Sequence, residues 1–77
     1  MHDPRYALLR ELLIAERLRV GLTQIDVAAR LRKPQSYVSK YERGERRLDI
    51  VEFFDVARVL GIDPVAAFTT LANKMNS

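Results

Sequence analysis

The most distinctive candidate functional residues form a short polar run near the middle of the chain. They are Gln35, Ser36, Ser39 and Lys40. Helical spacing would place all four on one face of a single helix, opposite the apolar Val38 and Tyr41. Glutamine matches the donor and acceptor pattern of adenine, lysine matches guanine, and serine accepts several bases. The run is therefore typical of a surface that reads base edges in the major groove of DNA.

Basic charge surrounds this run. Residues 30–47 hold seven of the 13 lysines and arginines, with only two acidic side chains. Such a cluster attracts polyanions and suits contact with phosphate groups. A solvated charged surface without a ligand is the alternative explanation of the same charges.

Other kinds of chemistry find little support in the sequence. The chain has no cysteine, which excludes disulfides, thiolate zinc sites and thiol catalysis, and its single histidine is His2 beside the terminus. The carboxylates Glu11, Glu16, Asp55 and Asp63 are spread over three separate predicted helical segments, without a second polar partner in pattern. No glycine-rich phosphate loop is present. We therefore expect neither enzymatic activity nor a cofactor or metal ion.

The elements that must position the polar run are predicted to be helices. With 77 residues, 48% hydrophobic and 30% charged, the chain suits one soluble domain spanning residues 1–77. The helical spacing of apolar residues, together with the glycines and prolines that interrupt it, predicts helices at about 4–19, 24–31, 34–42 and 49–60, with a fifth from Pro64. No strand-like alternation occurs, so the predicted fold is an all-α, compact five-helix bundle, with the tail 73–77 frayed.

Local signals define most of the predicted helix starts. Thr23 with Asp26, and Asp49 with Glu52, have the spacing of capping boxes. Pro34 is expected as the first residue of the third helix, which makes Lys33 its expected cap. Two inward faces are also predicted: the first helix should bury its leucines up to Leu18, and the fifth should bury one apolar side. That side comprises Val65, Phe68, Leu71 and Ala72.

The second and third predicted helices form a candidate helix-turn-helix at residues 23–42. Two helices that cross at a steep angle need a small residue at the crossing, and Ala28 lies at that point with Val38 opposite it. A short helix pair alone is weak evidence, so the residues at particular positions decide the assignment.

Those residues resemble the Cro/repressor-like, xenobiotic-response-element (XRE) family of helix-turn-helix regulators over about residues 8–70. The matching positions are Arg17, Gly21, Leu22, Thr23, Gln24, Val27, Ala28, the run from Tyr37 to Arg46, Ala57, Leu60, Gly61 and Ile62. One departure is Arg32, where the family usually has a turn glycine. The fold implied is that of phage repressor DNA-binding domains.

The resemblance implies roles for individual residues. Phosphate contacts would come from the second helix start, the recognition helix and the following loop. The residues concerned are Thr23, Gln24, Tyr37, Arg43, Arg46 and Arg47. Arg17 and Glu42 would form a structural ion pair, and the polar run would read bases.

The implied function is sequence-specific binding of double-stranded DNA by a small transcriptional regulator, most often a repressor. One short helix reads few bases, so we expect a homodimer on an inverted repeat, paired through surfaces within residues 49–73. Two alternatives remain: an antitoxin that masks a partner protein, and the controller protein of a restriction-modification system. Without a signal peptide or an apolar membrane segment, we expect the chain in the cytoplasm.

Overall fold

Five α-helices make up a computed structural model that describes residues 3–77; His2 therefore lies outside the described residues. The helices are α1 (Pro4–Arg19), α2 (Gln24–Leu31), α3 (Gln35–Glu42), α4 (Ile50–Leu60) and α5 (Pro64–Met75). No strand occurs among residues 3–77, which confirms the all-α prediction. None of these helices is long and apolar enough to cross a membrane.

Four of the five helix starts carry a side-chain cap. The Asp3 carboxylate accepts from the Arg5 backbone N–H at 2.9 Å, and that of Asp63 accepts from Val65 N–H at 3.0 Å. Complete capping boxes open the other two, Thr23 with Asp26 at α2 and Asp49 with Glu52 at α4. These bonds satisfy amide groups that the first helical turn leaves without partners. Both predicted capping boxes are thus confirmed.

All four connections leave their helices through a residue in the left-handed conformation. Three of these residues are glycines and the fourth is Arg32, with φ of 58°. At Arg32 the closing bonds run from its own N–H to the Ala29 carbonyl, at 3.1 Å, and from Lys33 N–H to the Ala28 carbonyl, at 3.0 Å. This pair of bonds is the Schellman motif. The turn therefore keeps the glycine-type geometry although its residue is arginine.

We expect Arg32→Gly to raise the free energy of unfolding by about 1 kcal/mol, because glycine adopts the left-handed conformation without steric cost. Urea unfolding followed by circular dichroism measures the change. Ala29→Gly, at an exposed position inside α2, is the matched control and should lower stability by about 1 kcal/mol. Equal destabilisation by both glycines would contradict the assigned turn conformation.

The core lies where α1, α2, α3 and α4 meet. Its largest fully buried side chains are Leu13, Val27, Val38, Tyr41 and Val56. Ala28, only 3% exposed, belongs to the same cluster and leaves room for the close α2–α3 contact. The crossing expected from Ala28 and Val38 is present.

Three details of the predicted helices were wrong. The third helix begins at Gln35, because Pro34 is an extended N-cap with ψ of 154°. The fifth helix continues to Met75 rather than ending before Asn73. Lys33 is accordingly not the cap of α3.

Two predicted inward faces were also wrong in part. On α5, Ala67 and Leu71 are buried while Val65 and Phe68 are 68% and 56% exposed. A small alanine lets α5 approach the bundle closely, and its stripe is rotated accordingly. On α1, Leu18 is 63% exposed, since it follows Arg17, whose side chain turns toward α3.

Candidate nucleic-acid interface

The polar run predicted to read bases lies on the outer face of α3. Gln35, Ser36 and Lys40 are exposed and Ser39 is half-buried, whereas Val38 and Tyr41 on the opposite face are buried. No side chain caps the α3 N-terminus. The four residues of the polar run thus lie on one short helix whose position is determined by the core.

A buried ion pair between α1 and α3 stabilises the C-terminal end of α3. The Arg17 Nε atom lies 2.7 Å from Glu42 Oε2, and the two side chains are 13% and 5% exposed. Arg17 also donates to the Leu22 carbonyl at 3.0 Å. Hydrogen bonding to Glu42 raises the pKa of Arg17 above its usual value. This contact ties α1 and the turn before α2 to the last residue of α3.

Gln24 extends the ion pair to the start of the recognition helix. Its Nε2 donates to Glu42 Oε1 at 2.9 Å, and its Oε1 accepts from Gln35 Nε2 at 3.2 Å. A continuous series of hydrogen bonds therefore runs from Arg17 to Gln35. From the sequence, Gln24 was expected to contact phosphate and Gln35 to contact bases. No sequence pattern indicated that the two side chains form a hydrogen bond with each other.

Thr23 serves first as a helix cap. Its hydroxyl accepts from Asp26 N–H at 3.0 Å, while its own N–H donates to Asp26 Oδ2 at 2.9 Å. These bonds with Thr23 lower the pKa of Asp26. The Thr23 hydroxyl proton remains available for donation to a ligand oxygen.

Tyr37 lies between two cations. The Arg46 guanidinium is 4.5 Å from its ring centroid and Lys33 Nζ is 5.5 Å away. Burial raises the pKa of Tyr37. Arg46 is itself bound to Glu52 of α4, with its Nη2 2.6 Å from Glu52 Oε2. The arginine therefore holds Tyr37 against α4 and is not a free charge.

Glu52 should make stability sensitive to acid. Bonding to Arg46, followed by the Asp49 N–H bond, lowers its pKa from 4.5 to about 2. A carboxylate with a lowered folded-state pKa stabilises fully above its unfolded pKa and loses that contribution as pH falls toward the folded value. We expect Glu52→Gln to be less stable than the natural protein at pH 7, with the difference vanishing between about pH 4.5 and pH 2.

Urea unfolding at several pH values measures this difference. Glu11→Gln, at an exposed position without an ion pair among residues 3–77, is the control and should follow the natural protein throughout. A constant difference between Glu52→Gln and the natural protein across the pH range would contradict the role of the Arg46–Glu52 pair.

The loop after α3 is packed against α1. Arg10 donates to the Glu42 carbonyl at 3.2 Å, and a Cβ at Gly44 would lie only 3.1 Å from Arg10 Nε. Arg43 pairs with Glu45 at 3.1 Å, and the Arg47 guanidinium lies 5.4 Å from the Tyr6 ring centroid. Sequence reasoning missed Arg10 and Tyr6, because neither belongs to a local motif.

The packed α2–α3 pair with its short turn, its buried support and its exposed polar face are the features of a helix-turn-helix protein. A helix-turn-helix family model matches residues 13–66. The chain belongs to the XRE family of helix-turn-helix DNA-binding transcriptional regulators.

Two relatives support this membership, and a third protein shares the fold. The uncharacterised HTH-type transcriptional regulator y4dJ of Sinorhizobium fredii is 39% identical over 49 residues, which span 64% of this chain and 64% of that protein. The solved XRE-family like protein of Pseudomonas syringae is 48% identical with a TM-score of 0.91, over 95% of this chain and 89% of that one. The restriction-modification controller protein C.Esp1396I shares the fold, with a TM-score of 0.87 at 24% identity over 99% and 100% of the two chains.

Proposed function

We propose that this protein is a sequence-specific repressor that binds an inverted-repeat operator as a homodimer. The observation that carries the proposal is the outer face of α3, where exposed Gln35, Ser36 and Lys40 accompany Ser39 on a helix supported by a buried ion pair. Preorganised polar side chains on a helix of this kind suit direct reading of base edges.

Phosphate contacts would flank the reading face. Thr23 and Gln24 occupy the α2 N-terminus, where the helix dipole favours anions. Arg43 and Arg47 are exposed after α3. Arg46 would contact a phosphate group only while its guanidinium also pairs with Glu52. We therefore expect Arg46 to contribute less than Arg43 or Arg47 to the salt dependence of DNA binding.

The dimer surface is assigned to α4 and α5, within residues 49–73, beside the helix-turn-helix core at 23–42. Six of the eight exposed large hydrophobic side chains among residues 3–77 lie on these helices. Ile50, Val51, Phe54, Val65 and Phe68 fall within residues 49–73, and Met75 lies two residues beyond that range. Exposed apolar side chains that are concentrated on two helices would suit an interface if they form one contiguous patch. C.Esp1396I was solved as a tetramer on its natural 35 base-pair operator, so a protein of this fold can assemble on DNA.

The proposed role requires binding alone and no catalytic step. The whole chain, residues 1–77, would act as a single DNA-binding domain, and it would work in the cytoplasm, where bacterial operators are found. Its activity would then follow from its concentration and from dimerisation.

Fluorescence anisotropy with a duplex from the gene's own upstream region, and with a scrambled duplex, tests the proposal across a salt series. We expect the upstream duplex to bind far more tightly, and Gln35→Ala, Ser39→Ala or Lys40→Ala each to cost about 1–3 kcal/mol of that preference. Lys74→Ala, at an exposed position near the end of α5, is the control. Equal affinity for both duplexes with one salt slope would refute operator recognition at this site.

A further inference from the structure

A cleft of about 210 Å³ lies between the N-terminal half of α1 and the loop that follows α3. Three arginines line it, Arg10 from α1 and both Arg43 and Arg47 from the loop. Guanidinium groups that share one cleft repel each other, and an anion that lies among them relieves this repulsion. The cleft therefore favours a negatively charged ligand.

The carboxylates near the cleft do not cancel this positive charge. Asp3 also lines the cleft, but its carboxylate lies 2.7 Å from Arg5 Nη2, and hydrogen bonding to Arg5 lowers the pKa of Asp3 to about 2. Glu45 pairs with Arg43 at 3.1 Å, and because both side chains are more than half exposed, this pair is weak enough to exchange for a ligand. Each carboxylate is thus matched by one arginine. The other two arginines of the cleft have no ion pair among residues 3–77.

Arg10 is the arginine of the cleft that no sequence pattern indicated. Its Nη1 donates to the Glu42 carbonyl at 3.2 Å, and its Nε would lie 3.1 Å from a Cβ at Gly44. The guanidinium is therefore fixed against the backbone at the end of α3. A guanidinium has five N–H donors in a rigid plane, and the Glu42 carbonyl takes one of them. The donors that remain can bind an oxyanion in the bidentate manner typical of arginine and phosphate.

We infer that this cleft is a phosphate-binding site in which Arg10 is a ligand together with Arg43 and Arg47. The ligand chemistry is a phosphate oxyanion, which can come from a phosphodiester of bound DNA or from a free phosphate compound. A DNA phosphate would extend the contacts of the proposed function beyond the helix-turn-helix to α1, and only this source of phosphate rests on the proposed function. Through the bond from Arg10 to the Glu42 carbonyl, the bound phosphate would also be connected to the C-terminal end of α3.

Arg10→Gln tests the site, because glutamine removes the charge and keeps a polar side chain. Arg58→Gln, at an exposed position on α4 outside the cleft, is the control with the same change of charge. In the protein without DNA, ¹⁵N–¹H spectra follow the Arg10 Nε–H and the Gly44 amide while inorganic phosphate replaces chloride at constant ionic strength. We expect both signals to shift along a saturating curve. Arg10→Gln should weaken the phosphate affinity about tenfold, and Arg58→Gln should leave it unchanged.

The salt dependence of DNA binding identifies the source of the phosphate. If DNA supplies it, Arg10→Gln should reduce the slope of the logarithm of the binding constant against the logarithm of salt concentration by about 1 for each bound subunit. The reduction should be equal on the upstream and the scrambled duplex, because phosphate contacts carry no sequence information. An unchanged slope, with saturable binding of inorganic phosphate, would assign the site to a free phosphate compound. A reduced slope without saturable binding would assign it to DNA alone.

Arg47→Gln separates ligand binding from support of the loop. The Arg47 side chain lies over the Tyr6 ring and forms no hydrogen bond among residues 3–77, so we expect its loss to weaken phosphate binding without moving the loop. Effects of Arg10→Gln in both assays with none from Arg47→Gln would reduce Arg10 to a support of the loop and overturn the inference. So would the absence of both a saturating phosphate shift and a change in salt slope. If phosphate binds as expected but the natural protein prefers no sequence, the proposed function fails while the site is upheld.

Discussion

Replacement of Glu42 by alanine is expected to lower the free energy of unfolding by about 3–5 kcal/mol. The substitution leaves the Arg17 cation, which is 13% exposed, without its counter-ion, and it also removes the acceptor of Gln24 Nε2. For a domain of this size the loss corresponds to a melting temperature about 15–30 °C lower. Thermal and urea unfolding at one fixed protein concentration, followed by circular dichroism, measures it.

The exposed pair between Arg58 and Asp55 provides the control for this prediction. Its side chains are 76% and 50% exposed, so Arg58→Ala should cost less than about 1 kcal/mol. Similar losses in Glu42→Ala and Arg58→Ala would show that burial adds nothing to the Arg17–Glu42 pair. Because Glu42→Ala perturbs the fold, weak DNA binding by that variant would carry no information about base reading.

Phe68→Glu is expected to reduce operator affinity by 100-fold or more while the monomer stays folded. Phe68 is 56% exposed on α5, so a charge there costs the monomer little but opposes burial of the apolar cluster in a dimer. Separate subunits lose the effective concentration that links two half-sites, a gain of about 10²–10⁴. Sedimentation equilibrium and operator titration measure the two effects.

Leu18→Glu is the matched control, because Leu18 is 63% exposed on α1 and lies outside the proposed dimer surface. It should preserve both the oligomeric state and the operator affinity. A Phe68→Glu protein that remains dimeric, or that binds the operator as tightly as the natural protein, would refute the assignment of α4 and α5 to the interface.

Most helix starts could be predicted because their signals are local. The Thr23–Asp26 and Asp49–Glu52 boxes each act within four residues, and both are present. The buried face of α5 could not be predicted in the same way. Alanine and phenylalanine both satisfy apolar spacing, and only the distance between packed helices selected Ala67 over Phe68 for burial.

The candidate site, like the fold, could be predicted from the sequence only in part. The exposed run on α3 follows from helical spacing around Val38 and Tyr41. The bonds that constrain it do not: Gln24 and Gln35 lie on different helices, and their contact depends on the left-handed turn at Arg32. The Arg46–Glu52 pair likewise requires the loop after α3 to return to the start of α4, which no residue pattern specified.

The helix ends also bear on how the chain folds. Four starts are capped by side chains two or three residues away, and each exit through Gly21, Arg32, Gly44 or Gly61 is closed by backbone bonds within six residues. Helices whose ends are determined by nearby residues can form before long loops are closed. Small helical proteins accordingly fold within microseconds to milliseconds. A newly synthesised chain would then be folded within milliseconds, so folding itself would add no delay before two chains of the proposed repressor assemble on DNA.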